Sequence, residues 1–425
     1  MKDVGYSGQY LDNKEFRIKV RTGADITNAT GDAICGEMFL VTGANPAFYI
    51  ATSMSTDSTQ GIYNVMDLIE QVMPVSDIKD IQLGFHSVHV LTHGGDVWSA
   101  GVNSNGQLGD DTGSNSLTFV KALISDVAEI SVATLTVFFL KTNGELWGTG
   151  QNGYKQIKYG ISTPSNYMKP EYTGLSGISK VSSSLYHVIY IKSDGKLYGR
   201  GSNQNKQLGD PTSTNMDDTL IYNGSVSYIH ASNIGSFFVD TSGNLSGIGS
   251  PNSGNVFGNG TAVTAYQGYA SLYSNIASSV SKVASTTFNT LILKTNGELW
   301  GCGENNNGEL GLNNQTQQAA PVFISSDVSD VFASNFSTFF ITTNGELKGM
   351  GQNYFQELGN IGNTVLTPQL VDSNVSRGTT GNGSIIYQKN NKDLYAGGRN
   401  NDGQLGLGNT ASPVNPKQIL TLPFL

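Results

Sequence analysis

The chain has 425 residues and a formal net charge of −9, and only 13% of its residues are charged. That balance argues against a nucleic-acid surface, whose affinity comes mainly from clustered lysine and arginine. No run nears the roughly eighteen apolar residues of a membrane span, and the two cysteines, Cys35 and Cys302, stand in separate segments without metal-ligand spacing, as free buried thiols would.

The opening stretch MKDVGYSGQYLDNKEF lacks the apolar run of a secretory signal, so the chain is expected to be made in a cytoplasm and to remain soluble. From Glu15 to Val65, the runs FRIKV, MFLVTG and AFYIATS alternate in polarity and are separated by Gly, Asn and Asp. They predict a small β-rich segment over residues 1–62, too short to bury a core alone, followed by a connector over 63–76.

Residues 77–425 repeat themselves. Copies of one pattern begin at Asp96 (DVWSAGVNSNGQLG), Glu145, Lys196, Asn244, Glu298 (ELWGCGENNNGELG), Glu346 and Asp393. Their second glycines are Gly101, Gly150, Gly201, Gly249, Gly303, Gly351 and Gly398, at intervals of 49, 51, 48, 54, 48 and 47 residues. A period near fifty with a recurring glycine and aromatic indicates a propeller. Ahead of each glycine, two β-rich runs flank a turn such as Asn143-Gly144, which predicts a hairpin with a type I′ turn. In the last copy Lys392 replaces that glycine, and a different or longer turn is expected. Adding the run before each hairpin and the run after each QLG gives four strands per unit. The fold class is all-β, a seven-bladed propeller behind a small β-rich segment. The seven glycines are structural, letting backbones pass closely where blades converge. Leu108, Leu208, Leu310, Leu358 and Leu405 are expected to plug the gaps between blades, and NPKQILTLPFL at the end is expected to pair near SDIKDIQLG at the start of the ring.

These residues resemble the repeat of the regulator of chromosome condensation family. The likeness is sharpest at Val102–Gly109, Glu304–Gly311 and Arg399–Gly406, weaker at Gln151–Lys158, and degenerate at Ser250–Phe257. It implies a seven-bladed propeller but not one function, because propellers serve exchange factors, ligase partners, inhibitors and adhesins alike. Members that act as exchange factors carry histidines in a GxxHS-like spot before the hairpin. Here only His86, within GFHSVHV, occupies it, and the counterparts are Leu135, Tyr186, Ile234, Phe288, Phe336 and Gly383. No interval leaves room for a large inserted wedge.

The amino-terminal segment is similar to attachment segments of bacteriophage fibre and appendage proteins, through Ile18, Lys19, Arg21, Gly36, Glu37, Leu40, Thr42, Phe48, Tyr49, Ile50 and Thr52. The resemblance implies a virion structural protein, a capsid decoration, head fibre or tail-associated fibre. Residues 1–62 would hold other virion proteins and the propeller would face outward, toward a host surface glycan or protein. Such a chain is made in the host cytoplasm, ends in the virion, and is expected to be a homo-oligomer there without nucleic acid or membrane insertion. The alternative is an intracellular protein-binding propeller, such as a bacterial effector or exchange factor acting on a small GTPase.

Signals for chemistry are sparse. His86, His89 and His93 cluster in sequence, but strand alternation separates the first two and the third falls in a turn. No nucleophile elbow or phosphate loop occurs, and Asp110-Asp111 and Asp217-Asp218 are open to two readings, a glycosidase-type carboxylate pair lining a propeller mouth or, as is usual for loop aspartates, turn residues. No enzyme, metal or cofactor is expected. The loops after QLG are the candidate partner-binding loops, with Tyr159, Tyr167 and Tyr172 in one and Tyr266, Tyr269 and Tyr273 in another, since tyrosine among Ser, Gly and Asn suits recognition.

Overall fold

A computed structural model of the chain describes residues 18–22, 38–42, 47–50, 78–160, 164–210, 214–249, 256–258, 271–359, 361–412 and 414–420. The chain divides into two compact units, Met1–Met73 and Pro74–Leu425. In the first, Ile18–Thr22 pairs in parallel with Met38–Thr42, which pairs antiparallel with Ala47–Ile50. The rest of the predicted attachment segment and the connector lie outside the described residues.

The second unit is a seven-bladed β-propeller. Its described residues form seven four-stranded antiparallel sheets and no helix. The blades span 78–121, 127–175, 178–222, 226–277, 280–325, 328–372 and 375–420, and in each the strands lie side by side in chain order. The first strands surround the axis. Every one of them is an open sheet edge with unpaired N–H groups, a feature that must be satisfied or covered. Side chains of the adjacent blade do this at several junctions. Gln82 accepts the Val132 amide at 3.0 Å, Ser131 the Ser183 amide at 2.8 Å and Ser182 the Ala231 amide at 2.9 Å.

The hairpins differ from the type I′ expectation. In blade 2 the Gly144 amide donates to the Lys141 carbonyl at 3.0 Å and the Lys141 amide to the Glu145 carbonyl at 2.9 Å. Gly144 is left-handed at φ 80, but Asn143 is not, which makes a type I turn closed by a glycine bulge. Asn143 acts through its side chain, whose Oδ1 accepts the Glu145 amide at 3.0 Å. Asp194 and Asn296 do the same in blades 3 and 5. Nor is the last hairpin longer. Lys392 takes the glycine's place at φ 74, its amide donating to the Lys389 carbonyl at 2.9 Å.

The seven repeat glycines share one environment. Their φ values run from +94° to +151°, and a Cβ on any of them would stand 2.1–2.7 Å from a carbonyl oxygen fifteen residues earlier. That carbonyl belongs to the loop between the first and second strands of the same blade. The close approach is therefore inside a blade and not, as expected, where blades converge. In six blades the ladder to the fourth strand also shifts register at this glycine.

Between blades the leucine plugs are found as predicted. Leu108, Leu208, Leu310, Leu358 and Leu405 are fully buried. Leu208 packs with Ile189 of blade 3 and Phe238 of blade 4, and Leu310 with Leu291 of blade 5 and Phe340 of blade 6. Each plug is positioned by the motif asparagine five residues earlier. Asn103, Asn203, Asn305, Asn353 and Asn400 accept the leucine amide through Oδ1 at 2.8–3.1 Å. Truncating such a leucine to alanine costs about 2–5 kcal/mol.

Ring closure corrects another expectation. The final strand, Val414–Leu420, pairs with Leu394–Gly398 of its own blade, so no strand is exchanged between the two ends of the chain. Blades 7 and 1 meet like any other neighbours. The Gly408 amide donates to the Leu117 carbonyl at 2.9 Å, the Leu83 amide to Thr379 Oγ1 at 3.3 Å, and the Arg377 guanidinium to the Lys79 carbonyl.

Candidate interaction face

The loops between first and second strands gather around one mouth of the axis. A shallow cavity of about 160 Å³ there is lined by every blade, with Gly84, Ala133, Ser184, Ser232, Thr286 and Ser334 among its walls. The hydroxyls turn inward: Ser184 Oγ to His187, Ser334 Oγ to Ser337, and Thr286 Oγ1 to Asn289. They fix the loops that carry the next residues outward.

Those next residues are the counterparts of His86. In six blades their carbonyls bind the amide after the repeat glycine, as in Val102 to His86, Gln151 to Leu135 and Gln352 to Phe336, at 2.8–3.0 Å. With the backbone pinned, the side chains have fixed places around the mouth. Phe288 and Phe336 stack with ring centroids 6.2 Å apart, and Tyr154 meets Tyr186 edge-on at 5.0 Å. Phe336 is 41% exposed and Tyr354 58%. Two aromatic clusters, Tyr154 with Tyr186 and Phe288 with Phe336, thus stand on the mouth on either side of blade 4, whose counterpart Ile234 is buried, and aromatic side chains dominate contact energy in binding patches.

The junction of blades 7 and 1 is the polar sector. His86 Nδ1 lies 2.8 Å from Asp402 Oδ2, Arg399 Nη2 lies 3.2 Å from the same oxygen, and the guanidinium stands 6.0 Å from the Phe85 ring centroid. His86 precedes its strand, and His89 lies within Ser87–Thr92, buried between Ser87 Oγ at 2.9 Å and Ser99 Oγ at 2.7 Å. Burial pushes the His89 imidazole down to about 3, and likewise that of His187, which joins Ser184 to Ser236 of the next blade. Both are neutral structural groups. Among the described residues no three His, Cys, Asp or Glu side chains converge.

The aspartate pairs are absorbed by the fold. Asp110 accepts the Asn103 side-chain amide, Asp111 faces Lys169 at 3.4 Å, Asp217 pairs with the buried Arg200 at 2.6 Å, and Asp218 with Lys192 at 2.7 Å. Cys302 is a buried thiol that burial pushes up to about 12, and Cys35 lies outside the described residues.

The tyrosine candidates separate. Tyr159 is 47% exposed on a loop. Tyr167 and Tyr172 belong instead to the strand Asn166–Leu175. Tyr167 is buried, beneath Lys158, and Tyr172 packs against Trp147 with ring centroids 5.8 Å apart. Tyr266 and Tyr269 lie outside the described residues, and Tyr273 is placed only as backbone of the strand Ser271–Ala277. Sequence reasoning missed Tyr354 and the Phe288–Phe336 stack. The signal was present, because both phenylalanines occupy the histidine spot.

Comparison with known proteins agrees with the fold. The regulator of chromosome condensation (RCC1) repeat matches residues 296–341 and 393–424, and a second description of that repeat matches 178–207 and 280–309. The chain therefore carries RCC1 repeats, built into a seven-bladed propeller. No curated protein matches the chain. Among solved structures, human WBSCR16 is similar with a TM-score of 0.64 and 16% identity, over 77% of this chain and 93% of that one. A chain from Kap60 bound to yeast RCC1 (Prp20) gives 0.67 and 12%, over 90% and 91%. Prp20p from Saccharomyces cerevisiae gives 0.59 and 18%, over 72% and 80%. At these identities the likeness is one of fold.

Proposed function

We propose that this chain is a non-enzymatic binding propeller of a bacteriophage particle, a decoration or fibre protein attached through residues 1–62 and engaging its partner with the face around the axial mouth. The observation that carries the binding role is the partly exposed stack of Phe288 and Phe336, with Tyr186 on the far side of blade 4, which places aromatic rings where exchange-factor propellers are expected to hold histidines. Such a face acts by area and shape, with no titrating group at its centre. The particle assignment rests on the fibre-like pattern from Ile18 to Thr52. On this reading the chain is made in the host cytoplasm, ends in the virion, oligomerises there, and contacts virion proteins on one side and a host surface glycan or protein on the other. Mass spectrometry of purified particles tests it. Stoichiometric presence of the full chain and loss of the chain lacking residues 1–62 support attachment, and normal incorporation of the truncated chain refutes it.

A second reading is favoured by one observation, the orientation of His86 by Asp402 at 2.8 Å. Prp20p, which shares the propeller fold, has binding properties toward Gsp1p and histones. The alternative for this chain is accordingly an intracellular protein-binding propeller that acts on a small GTPase. Nucleotide release from a panel of small GTPases, stimulated by the chain and lost in His86→Ala, would establish it in place of the virion role.

A further inference from the structure

At the opposite end of the strands, one heptapeptide occurs twice. Lys-Thr-Asn-Gly-Glu-Leu-Trp forms residues 141–147 in blade 2 and 294–300 in blade 5. Both copies fold alike. The indole N–H donates to the glutamate, Trp147 to Glu145 and Trp300 to Glu298, each at 3.1 Å. The lysine ammonium stands over the indole, 5.7 Å from the Trp147 centroid and 4.6 Å from that of Trp300.

The copies differ in one neighbour. The residue leading into each blade's first strand is left-handed in both cases, Asp126 at φ 59 and Ser279 at φ 57. The Asp126 carboxylate lies 3.7 Å from Lys141 Nζ. Lysines at the same position in blades 3 and 7 are also clamped, by Asp218 at 2.7 Å and Asp372 at 2.8 Å. Ser279 brings no charge. Among the described residues Lys294 has no carboxylate within ion-pair distance, and its near neighbour Glu298 is engaged by the Trp300 indole.

Beside Lys294 a groove of about 460 Å³ opens between blades 4 and 5, walled by Asn244, Asn275, Ser278, Trp300 and Pro321. That volume falls in the range of small-molecule sites. Outside the groove, Phe323 meets Trp300 edge-on at 5.8 Å and helps to hold the indole in place. One ammonium without a clamp favours a ligand with one negative charge. The Asn275 amide, the Ser278 hydroxyl and the Oδ1 of Asn244, whose Nδ2 donates to Asp240 at 3.0 Å, suit a ligand rich in hydroxyls, and the Trp300 ring suits the C–H face of a pyranose. We infer that the groove between blades 4 and 5 binds a carboxylated sugar unit, a uronic or sialic acid, with its carboxylate on Lys294 and its hydroxyls toward Asn244, Asn275 and Ser278. The inference concerns this groove alone and does not depend on attachment to a particle.

Titrating the full chain with glucuronic acid and N-acetylneuraminic acid, read by tryptophan fluorescence and calorimetry, tests it. Saturable binding of at least one acid is expected, with the neutral counterparts glucose and N-acetylmannosamine weaker by about ten-fold or more, the loss of one charged contact. Ser279→Asp, which installs the clamp that Asp126 provides in blade 2, should weaken the acid sugar by about ten-fold at an unchanged melting temperature. Lys294→Gln should do the same. Equal binding of acidic and neutral sugars, full affinity in Ser279→Asp, preference for a glutamate-rich peptide, or no saturation by either acid at tens of millimolar would each overturn the assignment.

Discussion

The carbonyl oxygen of His86 lies 2.2 Å from where a Cβ on Gly101 would stand, and the same oxygen accepts the Val102 amide at 3.0 Å. The residue at the candidate face and the repeat glycine are thus one structural unit. The glycine is required twice, by its φ of +114° and by the space the carbonyl occupies.

Gly101→Ala should therefore cost well over the 1 kcal/mol typical of a surface glycine, on the order of 3 kcal/mol, from left-handed strain plus displacement of the His86 carbonyl. Chemical denaturation measures it. A midpoint shift no larger than that of Gly153→Ala, where the nearest atoms are 3.8 Å away, would show that the crowding is relieved without cost.

His86 and Asp402 bridge the first and last blades but remain partly exposed, at 28% and 24% of their side chains. Ion pairs open to solvent contribute little, so His86→Ala should lower stability by less than about 1 kcal/mol. Under the proposed function it should leave particle incorporation unchanged. Phe336→Ala, which removes one ring of the Phe288–Phe336 stack, should instead weaken partner binding by about ten-fold or more, measured as host-cell attachment of variant particles.

Lys392 holds the left-handed position of its hairpin at φ 74, where the other copies place glycine at φ 77–85. Lys392→Gly should raise the unfolding free energy by roughly 1 kcal/mol, the strain of a non-glycine residue there less the added freedom of the unfolded chain. Thermal unfolding of the two proteins compares them directly. A lower melting temperature would mean that contacts of the lysine side chain outweigh its backbone strain.

Glu357 stands where Gln107, Gln207 and Gln404 stand in other blades, and is buried with one oxygen lacking a partner. Burial raises its carboxyl to about 7. Since the folded state holds this proton more tightly than the unfolded chain, whose value is near 4.5, the stability it contributes is full below 4.5 and is lost as pH rises toward 7. Glu357→Gln should then match the parent near pH 4.5 and exceed it at pH 8, by at most about 3 kcal/mol. Denaturation curves at the two pH values decide the matter, and a difference independent of pH would refute the protonated form.

The period, the number of blades, the leucine plugs and the places of the seven glycines are all legible in the sequence, because each is set within a stretch of about fifteen residues. An alternating run, a turn and a buried leucine behind an asparagine leave a local signature that repetition amplifies. The part Asn143 plays in its turn is less legible for a related reason: Asn-Gly fits two turn types, and the choice is made by hydrogen bonds of Lys141 and Glu145 that adjacency alone does not reveal. Other properties belong to the tertiary structure. The junction of blades 7 and 1 joins residues about three hundred positions apart. Tyr167 is buried by a strand that continues where a loop was expected, while Phe288 and Phe336 become a stack only because successive blades stand side by side. Lys294 and Lys141 sit in identical heptapeptides, and their difference comes from the residue fifteen positions upstream, Ser279 or Asp126, brought back beside them by sheet pairing. Local sequence dictates what each unit repeats, and packing between units decides which copy is left with a charge and a groove to use.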